Sequence, residues 1–344
     1  MGEQRAMTAE TSTTQPSGLV DSFGRRITYL RLSVTDRCDF RCVYCMEPDQ
    51  RFAPRDKVLD LAEMAQVARV FVGMGVRKIR LTGGEPLMRR NVLWLMREIA
   101  ALPGLAELVI TTNGSRLEEY AREIRDAGVK RINISLDSLR PERFHRITRN
   151  GHIDRVLRGI DAALAAGFER IKLNAVILKH RNHDEINGLV QFAVDKGINI
   201  SFIEEMPVGQ IGEHDRAQVF YSNDRIRSDI RTRFELVPTT ETTGGPARYY
   251  RIPGTETRVG FISPHSHNFC GDCNRVRVTA EGRLLLCLGK EHSLNLCRVL
   301  REHPGAEANL RRAIRHAVQG KPKGHEFDLR ASPIILRNMN DTGG

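Results

Sequence analysis

Three cysteines, Cys38, Cys42 and Cys45, lie within eight positions in "CDFRCVYC", and three more, Cys270, Cys273 and Cys287, follow far along the chain in "CGDC" and "LLLC". The first spacing is C-x3-C-x2-C and the second C-x2-C-x13-C. A closed zinc site takes four ligands, usually as paired knuckles. His265, His267 or Cys297 would complete such a site at the second set, and a distant histidine at the first. The other chemistry for three thiolates is an iron-sulfur cube with one iron left open. An open iron binds an external molecule through an amine and a carboxylate. Seven cysteines, an odd number, after a start that does not resemble a secretory signal, argue against a disulfide framework and for a reducing compartment, the cytoplasm.

These thiols hang on a repeating frame. Strand patterns at 27–34, 78–84, 107–114, 131–138, 170–177 and 199–206 alternate with helical patterns at 60–75, 91–102, 116–128, 153–167 and 183–197. Most of these helices close on glycine, and Asp60 and Asp184 suit N-caps. The alternation predicts right-handed βα units around a parallel sheet, open or curled into a barrel. Chemistry in such folds gathers at the C-terminal strand ends. The first cysteine set, Gly83-Gly84-Glu85-Pro86, Thr112-Asn113-Gly114, Asp137-Ser138 and Glu205-Met206-Pro207 should share that rim. Past about residue 215 turn residues and short β-like runs take over. The expected division is a flexible polar tail over 1–20, a barrel over 21–215 and a separate C-terminal lobe over 216–344.

With 344 residues, 40% hydrophobic and 28% charged, the chain can bury a large core, and no apolar run nears the roughly 20 residues of a membrane span. A net charge of +11 suits nucleic acid, anionic lipid or a polyphosphate. The basic run 308–325 reads as a solvated helix face and loop. Basic stretches without interleaved aromatics, in a chain only 6% aromatic, lack the stacking platforms of a nucleic-acid binder. Arg31 lies inside an apolar strand, where a charge needs a partner. Arg275 and Arg277 alternate on a strand and share a face.

"CDFRCVYC", with Gly83-Gly84-Glu85-Pro86 one strand later, resembles the signature of the radical S-adenosylmethionine superfamily. "FCGDCNRVRVTAEGRLLLC" narrows the resemblance to the GTP 3′,8-cyclase family of molybdenum-cofactor synthesis, from about residue 18 to Gly344. The resemblance implies an α/β fold, an incomplete (β/α)6 TIM-like barrel with a C-terminal α+β lobe closing its open side. It implies two 4Fe-4S clusters. One, on Cys38, Cys42 and Cys45, cleaves S-adenosylmethionine to methionine and a 5′-deoxyadenosyl radical that takes the ribose 3′ hydrogen. The other, on Cys270, Cys273 and Cys287, holds the guanine of GTP.

By the same resemblance Tyr44, Gly84, Ser135 and Met206 contact S-adenosylmethionine. Arg31, Arg80, Thr111, Lys172, Arg275, Val276 and Arg277 contact GTP, with Lys78 a further candidate. The terminal Gly343-Gly344 enters the active site, and no side chain serves as catalytic acid or base. Implied partners are a flavodoxin- or ferredoxin-type electron donor and the next pathway enzyme, cyclic pyranopterin monophosphate synthase. A homodimer is left open, and neither membrane nor nucleic acid is expected. Ser201 departs from the family, which usually has arginine there, and Cys297 reads as a buried helix residue. Two other readings compete: a peptide-modifying radical enzyme with an auxiliary cluster, and a zinc-stabilised nucleic-acid-binding module.

Overall fold

A computed structural model of the chain describes residues 18–212, 214–329 and 335–343. Most of the expected N-terminal tail, and Gly344, lie outside these residues. The six expected strands form as β1 (Tyr29–Ser33), β2 (Lys78–Thr82), β3 (Glu107–Thr112), β4 (Arg131–Ser135), β5 (Arg170–Val176) and β6 (Asn199–Ile203). They pair in parallel in that order. Between them run α1 (Leu61–Gly73), α2 (Val92–Ala100), α3 (Leu117–Asp126), α4 (Pro141–Thr148), α5 (Ile153–Ala166) and α6 (Ile186–Asp195).

Local chemistry explains most of these boundaries. Asp60 and Glu63 form a reciprocal capping box at the start of α1, each satisfying an otherwise orphaned backbone N–H. Gly167 ends α5 in the left-handed conformation. Two details differ from expectation. Helix α4 is absent from the sequence reading because it buries only Phe144, Ile147 and Thr148, too few for a stripe; Pro141 at its first turn is the available signal. Asp184 does not cap α6. It lies in a short 3-10 turn before that helix and pairs with Arg143 on α4.

The strands bury one face and wet the other. On β4 and β5, Ile132, Ile134, Ile171, Leu173 and Ala175 pack into the core, while Asn133, Ser135, Lys172 and Asn174 line the barrel interior. The inner strand face therefore presents polar side chains to a cavity, and the main hydrophobic core lies outside it, between sheet and helices.

The segment after residue 215 joins this sheet on both sides. It supplies β7 (Val237–Pro238), β8 (Arg248–Arg251), β9 (Arg258–Ile262), β10 (Arg275–Val278), β11 (Arg283–Leu285) and β12 (Ser293–Asn295). β9 pairs parallel with β6, and β10 parallel with β1, giving the order β12-β11-β10-β1-β2-β3-β4-β5-β6-β9-β8-β7. Unpaired edges of the six-stranded core are thereby satisfied. Expected as a separate lobe, this segment is instead continuous with the barrel sheet. The sheet ends at β12 and β7 and stays an open barrel among the described residues. No helix among them is long and apolar enough to cross a membrane.

Candidate active site

Strand register decides which side chains meet. Arg275 stands opposite Tyr29 and Arg277 opposite Arg31 between β10 and β1; Tyr29 stands opposite Lys78 and Arg31 opposite Arg80 between β1 and β2. Arg277, Arg31 and Arg80 thus form one row across three strands, facing the cavity. Thr111, Asn133 and Lys172 form a similar row across β3, β4 and β5. Val276 alternates with its arginine neighbours and its side chain belongs to the core.

Both cysteine sets line this cavity. Cys38 follows the C-terminal end of β1, whereas Cys273 precedes the N-terminal end of β10, which runs parallel to β1. The sets therefore sit at opposite ends of the strands and open onto a common space. A five-residue strand separates those ends, on the order of 16 Å at about 3.3 Å per residue.

The loops of the expected rim collect at the first end, where Gly83, Gly84, Asn113, Ser135, Asp137 and Met206 line the wall. A Cβ at Gly83 would collide with the Thr35 carbonyl, and one at Gly84 with the carbonyls of Arg37 and Asp36, so only glycine lets these loops cross so closely. Buried Glu85 ties the turn down: it accepts from Asn113 N (2.6 Å), Thr112 Oγ1 (2.8 Å) and Leu87 N (3.0 Å). Burial pushes its carboxyl up to about 7 despite those donors. Tyr44 donates to Asp137 Oδ2 at 2.6 Å, and Asp137 Oδ1 accepts from Val176 N at 2.8 Å. Burial raises Asp137 to about 6. All three thiols of this set are pushed up by burial, Cys45 to about 12; Glu85 and Asp39 add to the rise at Cys38.

The second end is basic. Lys321 is buried and donates to Leu286 O (2.5 Å) and Arg275 O (2.9 Å), with Cys273 Sγ at 3.6 Å. Burial alone would raise the Cys273 thiol, but Arg275 and Lys321 outweigh it and leave the group below its ordinary value. The basic run 308–325 is thus only half as expected. Helix Glu307–Gln319 keeps a solvated face, but Lys321 is enclosed and His325 lines the cavity. The loop is drawn inward because Lys321 satisfies backbone carbonyls beside the second set.

None of the candidate fourth ligands completes that set. His265 Nε2 meets the Glu205 carbonyl at 2.8 Å, His267 Nε2 meets Asp224 at 3.1 Å, and Cys297 is buried in helix Leu296–Glu302, as expected. No cysteine is in a disulfide. Among the described residues no three His, Cys, Asp or Glu groups converge tightly enough to hold one metal ion. Three free thiols lining one cavity suit an iron-sulfur cube, whose donors grip separate irons.

Between the two ends the cationic row meets no carboxylate among the described residues. Arg31 Nε is buried without a hydrogen bond among the described residues, and burial, then neighbouring Arg277, holds Arg31 below its ordinary pKa. Burial and Arg275 hold Arg277 down at about 10. Arg80 donates to Tyr29 OH (2.5 Å) and to Thr111 Oγ1 (2.8 Å). Lys78 differs: Glu107 at 2.9 Å and the Thr243 carbonyl at 2.8 Å already satisfy it.

The C-terminal segment enters this row. The Gly343 carbonyl accepts from Arg31 Nη2 (3.0 Å), Arg277 Nη1 (3.1 Å) and Thr82 Oγ1 (3.0 Å). Gly343 has φ +78°, and a Cβ there would lie 2.9 Å from Thr82 Cγ2. Gly344, expected beside it, lies outside the described residues.

Ser201 is fully buried on β6 opposite Gly260. A Cβ on Gly260 would lie 2.5 Å from Ser201 Oγ and 2.8 Å from the Tyr249 ring, so two small residues make room for that ring. Tyr249 OH reaches Lys172 Nζ at 3.4 Å and Thr243 Oγ1 at 3.3 Å. Sequence reasoning placed Asp137 on the rim without a role and missed Tyr29, Tyr249 and His325 as cavity groups. Tyr29 was within reach, since it lies two residues from Arg31 on the same strand run; Tyr249 and His325 carry no comparable signal.

Residues 32–193 match the Radical SAM superfamily model, and residues 198–327 match that of Molybdenum Cofactor Synthesis C. The chain is 59% identical to the GTP 3′,8-cyclase of Pseudomonas entomophila, over 96% of this chain and 99% of the relative. It is also 59% identical to GTP 3′,8-cyclase 1 of Pseudomonas aeruginosa, over 94% and 99%. Among solved structures, Streptococcus suis SuiB bound to precursor peptide SuiA aligns with TM-score 0.61 at 15% identity, covering 93% of this chain and 77% of that one, which is a likeness of fold. With both halves matched in order and most positions shared with these enzymes, the chain belongs to the GTP 3′,8-cyclase family within the radical S-adenosylmethionine superfamily.

Proposed function

We propose that this chain converts GTP to 3′,8-cyclo-7,8-dihydro-GTP, the first step of molybdopterin synthesis, in the cytoplasm. The observation that carries the reading is the pair of thiol sets at the two ends of one cavity, with a guanidinium row between them that meets no carboxylate among the described residues. A 4Fe-4S cluster on Cys38, Cys42 and Cys45 supplies, when bound, one electron to S-adenosylmethionine and so the abstraction of the ribose 3′ hydrogen. Cys270, Cys273 and Cys287 would hold a second cluster, against which the guanine rests.

The chain's own residues bind, orient and exclude water. At the first end the Gly84 backbone lies open to the methionine moiety, Tyr44 is fixed by Asp137, and Ser135 and Met206 border the same wall. Arg31, Arg80, Arg275 and Arg277 take phosphate oxygens, since planar guanidinium groups bond them in pairs. Thr111 and Lys172 extend that contact, Val276 offers backbone only, and Lys78 serves mainly to hold the Thr243 loop. Gly343 braces Arg31 and Arg277 from the side of the first set. No general base is required for hydrogen-atom removal; correct placement of the ribose is the chain's contribution.

In this reading residues 21–215 carry the cleavage half and residues 216–344 the substrate half. A flavodoxin- or ferredoxin-type donor supplies electrons, and cyclic pyranopterin monophosphate synthase takes the product; a homodimer is compatible with this scheme. The test is anaerobic incubation of reconstituted protein with S-adenosylmethionine and 3′-deuterated GTP. Deuterium should appear in 5′-deoxyadenosine together with a cyclised nucleotide. Stimulation of cleavage by peptides and not by GTP, or zinc without acid-labile sulfide in anaerobically prepared protein, would overturn the proposal.

A further inference from the structure

One histidine beside the second cysteine set has no hydrogen-bond partner among the described residues. Both ring nitrogens of His325 are buried without a hydrogen bond, yet the residue lines the cavity. Its ring stacks on Phe327 at 4.0 Å between centroids and 28° between planes, and Phe327 in turn meets His265 at 5.8 Å. Its neighbour Gly324 packs on Cys270, where a Cβ would lie 3.4 Å from the sulfur. On the opposite side a Cβ at Gly289, two residues past Cys287, would lie 2.6 Å from His325 Cβ. The imidazole is thus wedged between the two chain segments that carry Cys270 and Cys287, and its position is fixed by packing alone.

An enclosed imidazole with both nitrogens unsatisfied is unfavourable unless a ligand supplies the partners. Burial, with His265 and Lys290 nearby, holds its pKa down at about 4, so near neutrality the ring offers one donor and one acceptor. A phosphate offers acceptors only. A guanine edge, with its N1 and N2 hydrogens beside O6, offers both kinds.

We propose that His325, braced by Phe327, hydrogen-bonds the purine base held against the second cysteine set and thereby sets the preference for guanine. The inference rests on the functional reading above, in which that set receives the base. His325 is a specificity residue that touches substrate, not an acid or base in the chemistry.

The test uses reconstituted holoenzyme and equilibrium binding of GTP, ITP and ATP. His325→Phe keeps the stack on Phe327 and removes both nitrogens; His325→Gln restores a donor and an acceptor. His325→Phe should weaken GTP binding roughly 10- to 100-fold, the span of about 1–3 kcal/mol for a two-point base contact. It should narrow the GTP-to-ATP preference by a similar factor, and His325→Gln should recover part of both. A structural role would not move the base preference, so a His325→Phe enzyme with unchanged GTP-to-ATP ratio overturns the proposal. Loss of iron from the second set in both variants, read by metal analysis and electron paramagnetic resonance, would make His325 a cluster ligand instead and also overturn it. If the wild type binds no GTP, the functional reading itself fails, and that outcome is distinct from either.

Discussion

The two ends of the cavity carry the same number of thiols in opposite electrostatic settings. At the first end Glu85, Asp39 and Asp137 crowd the cysteines, and Asp341 stands near Cys45. At the second, Arg275 and Lys321 do. Burial raises the thiols of the first set, and the carboxylates raise them further; at Cys273 the cations reverse the effect of burial. Charge around a buried site selects the ligand that completes it. An acidic collar favours a cationic molecule such as a sulfonium, and a basic one a polyanion such as a nucleoside triphosphate. Two similar-looking cysteine sets thus differ in the charge of their neighbours, which is what the proposed division of tasks between them requires.

The largest effect expected from this contrast is a clean division between the sets. Cys42→Ala should reduce 5′-deoxyadenosine formation to background whatever nucleotide is added. Cys273→Ala should still cleave S-adenosylmethionine but release no cyclised product. Chromatography of both products from each variant checks this, and equal loss of both activities in both variants would break the comparison.

The next effect concerns the tail residue that meets the guanidinium row from the side of the first set. Gly343 adopts a left-handed conformation in contact with Thr82 and Ser33, so Gly343→Ala costs about 1–2 kcal/mol in backbone strain before any collision. The expected result is a roughly tenfold or greater fall in cyclisation kcat, with affinity for S-adenosylmethionine within about twofold. A fall in that affinity equal to the fall in kcat would place the tail at the first end alone.

The smallest effect is a titration. Burial raises the Tyr29 phenol, but Arg80, Arg31 and Lys78 overcome it and bring the group down to about 7. A pKa lowered in the fold means stability that is complete above the unfolded value near 10 and is lost as pH falls through 7. In cluster-free protein one tyrosine should therefore show phenolate absorbance emerging near pH 7, absent in Tyr29→Phe. A bound triphosphate would neutralise the cations and move the transition upward. No shift on adding nucleotide would separate Tyr29 from the anion site.

Much of this was readable before any coordinates. The six barrel strands and their five expected helices formed in place because alternation, capping and glycine stops are local chemistry, carried by residues a few positions apart. Helix α4 escaped because eight residues with three buried side chains do not make a periodic stripe. Asp184 escaped because a carboxylate before a helix serves equally well as a cap or as the partner of a distant arginine, here Arg143.

The cysteine spacings pointed to cluster chemistry because the thiols of one loop are neighbours in the chain. The placement of the two sets at opposite ends of one cavity has no such local trace. It follows from β10 lying parallel to β1, a pairing across most of the chain that puts Arg277 beside Arg31 and sends Cys273 to the far end. His325 and Tyr249 were hidden for a related reason. A polar side chain turned toward a wet interior has the same sequence signature as one turned toward bulk water, and only the fold distinguishes the two.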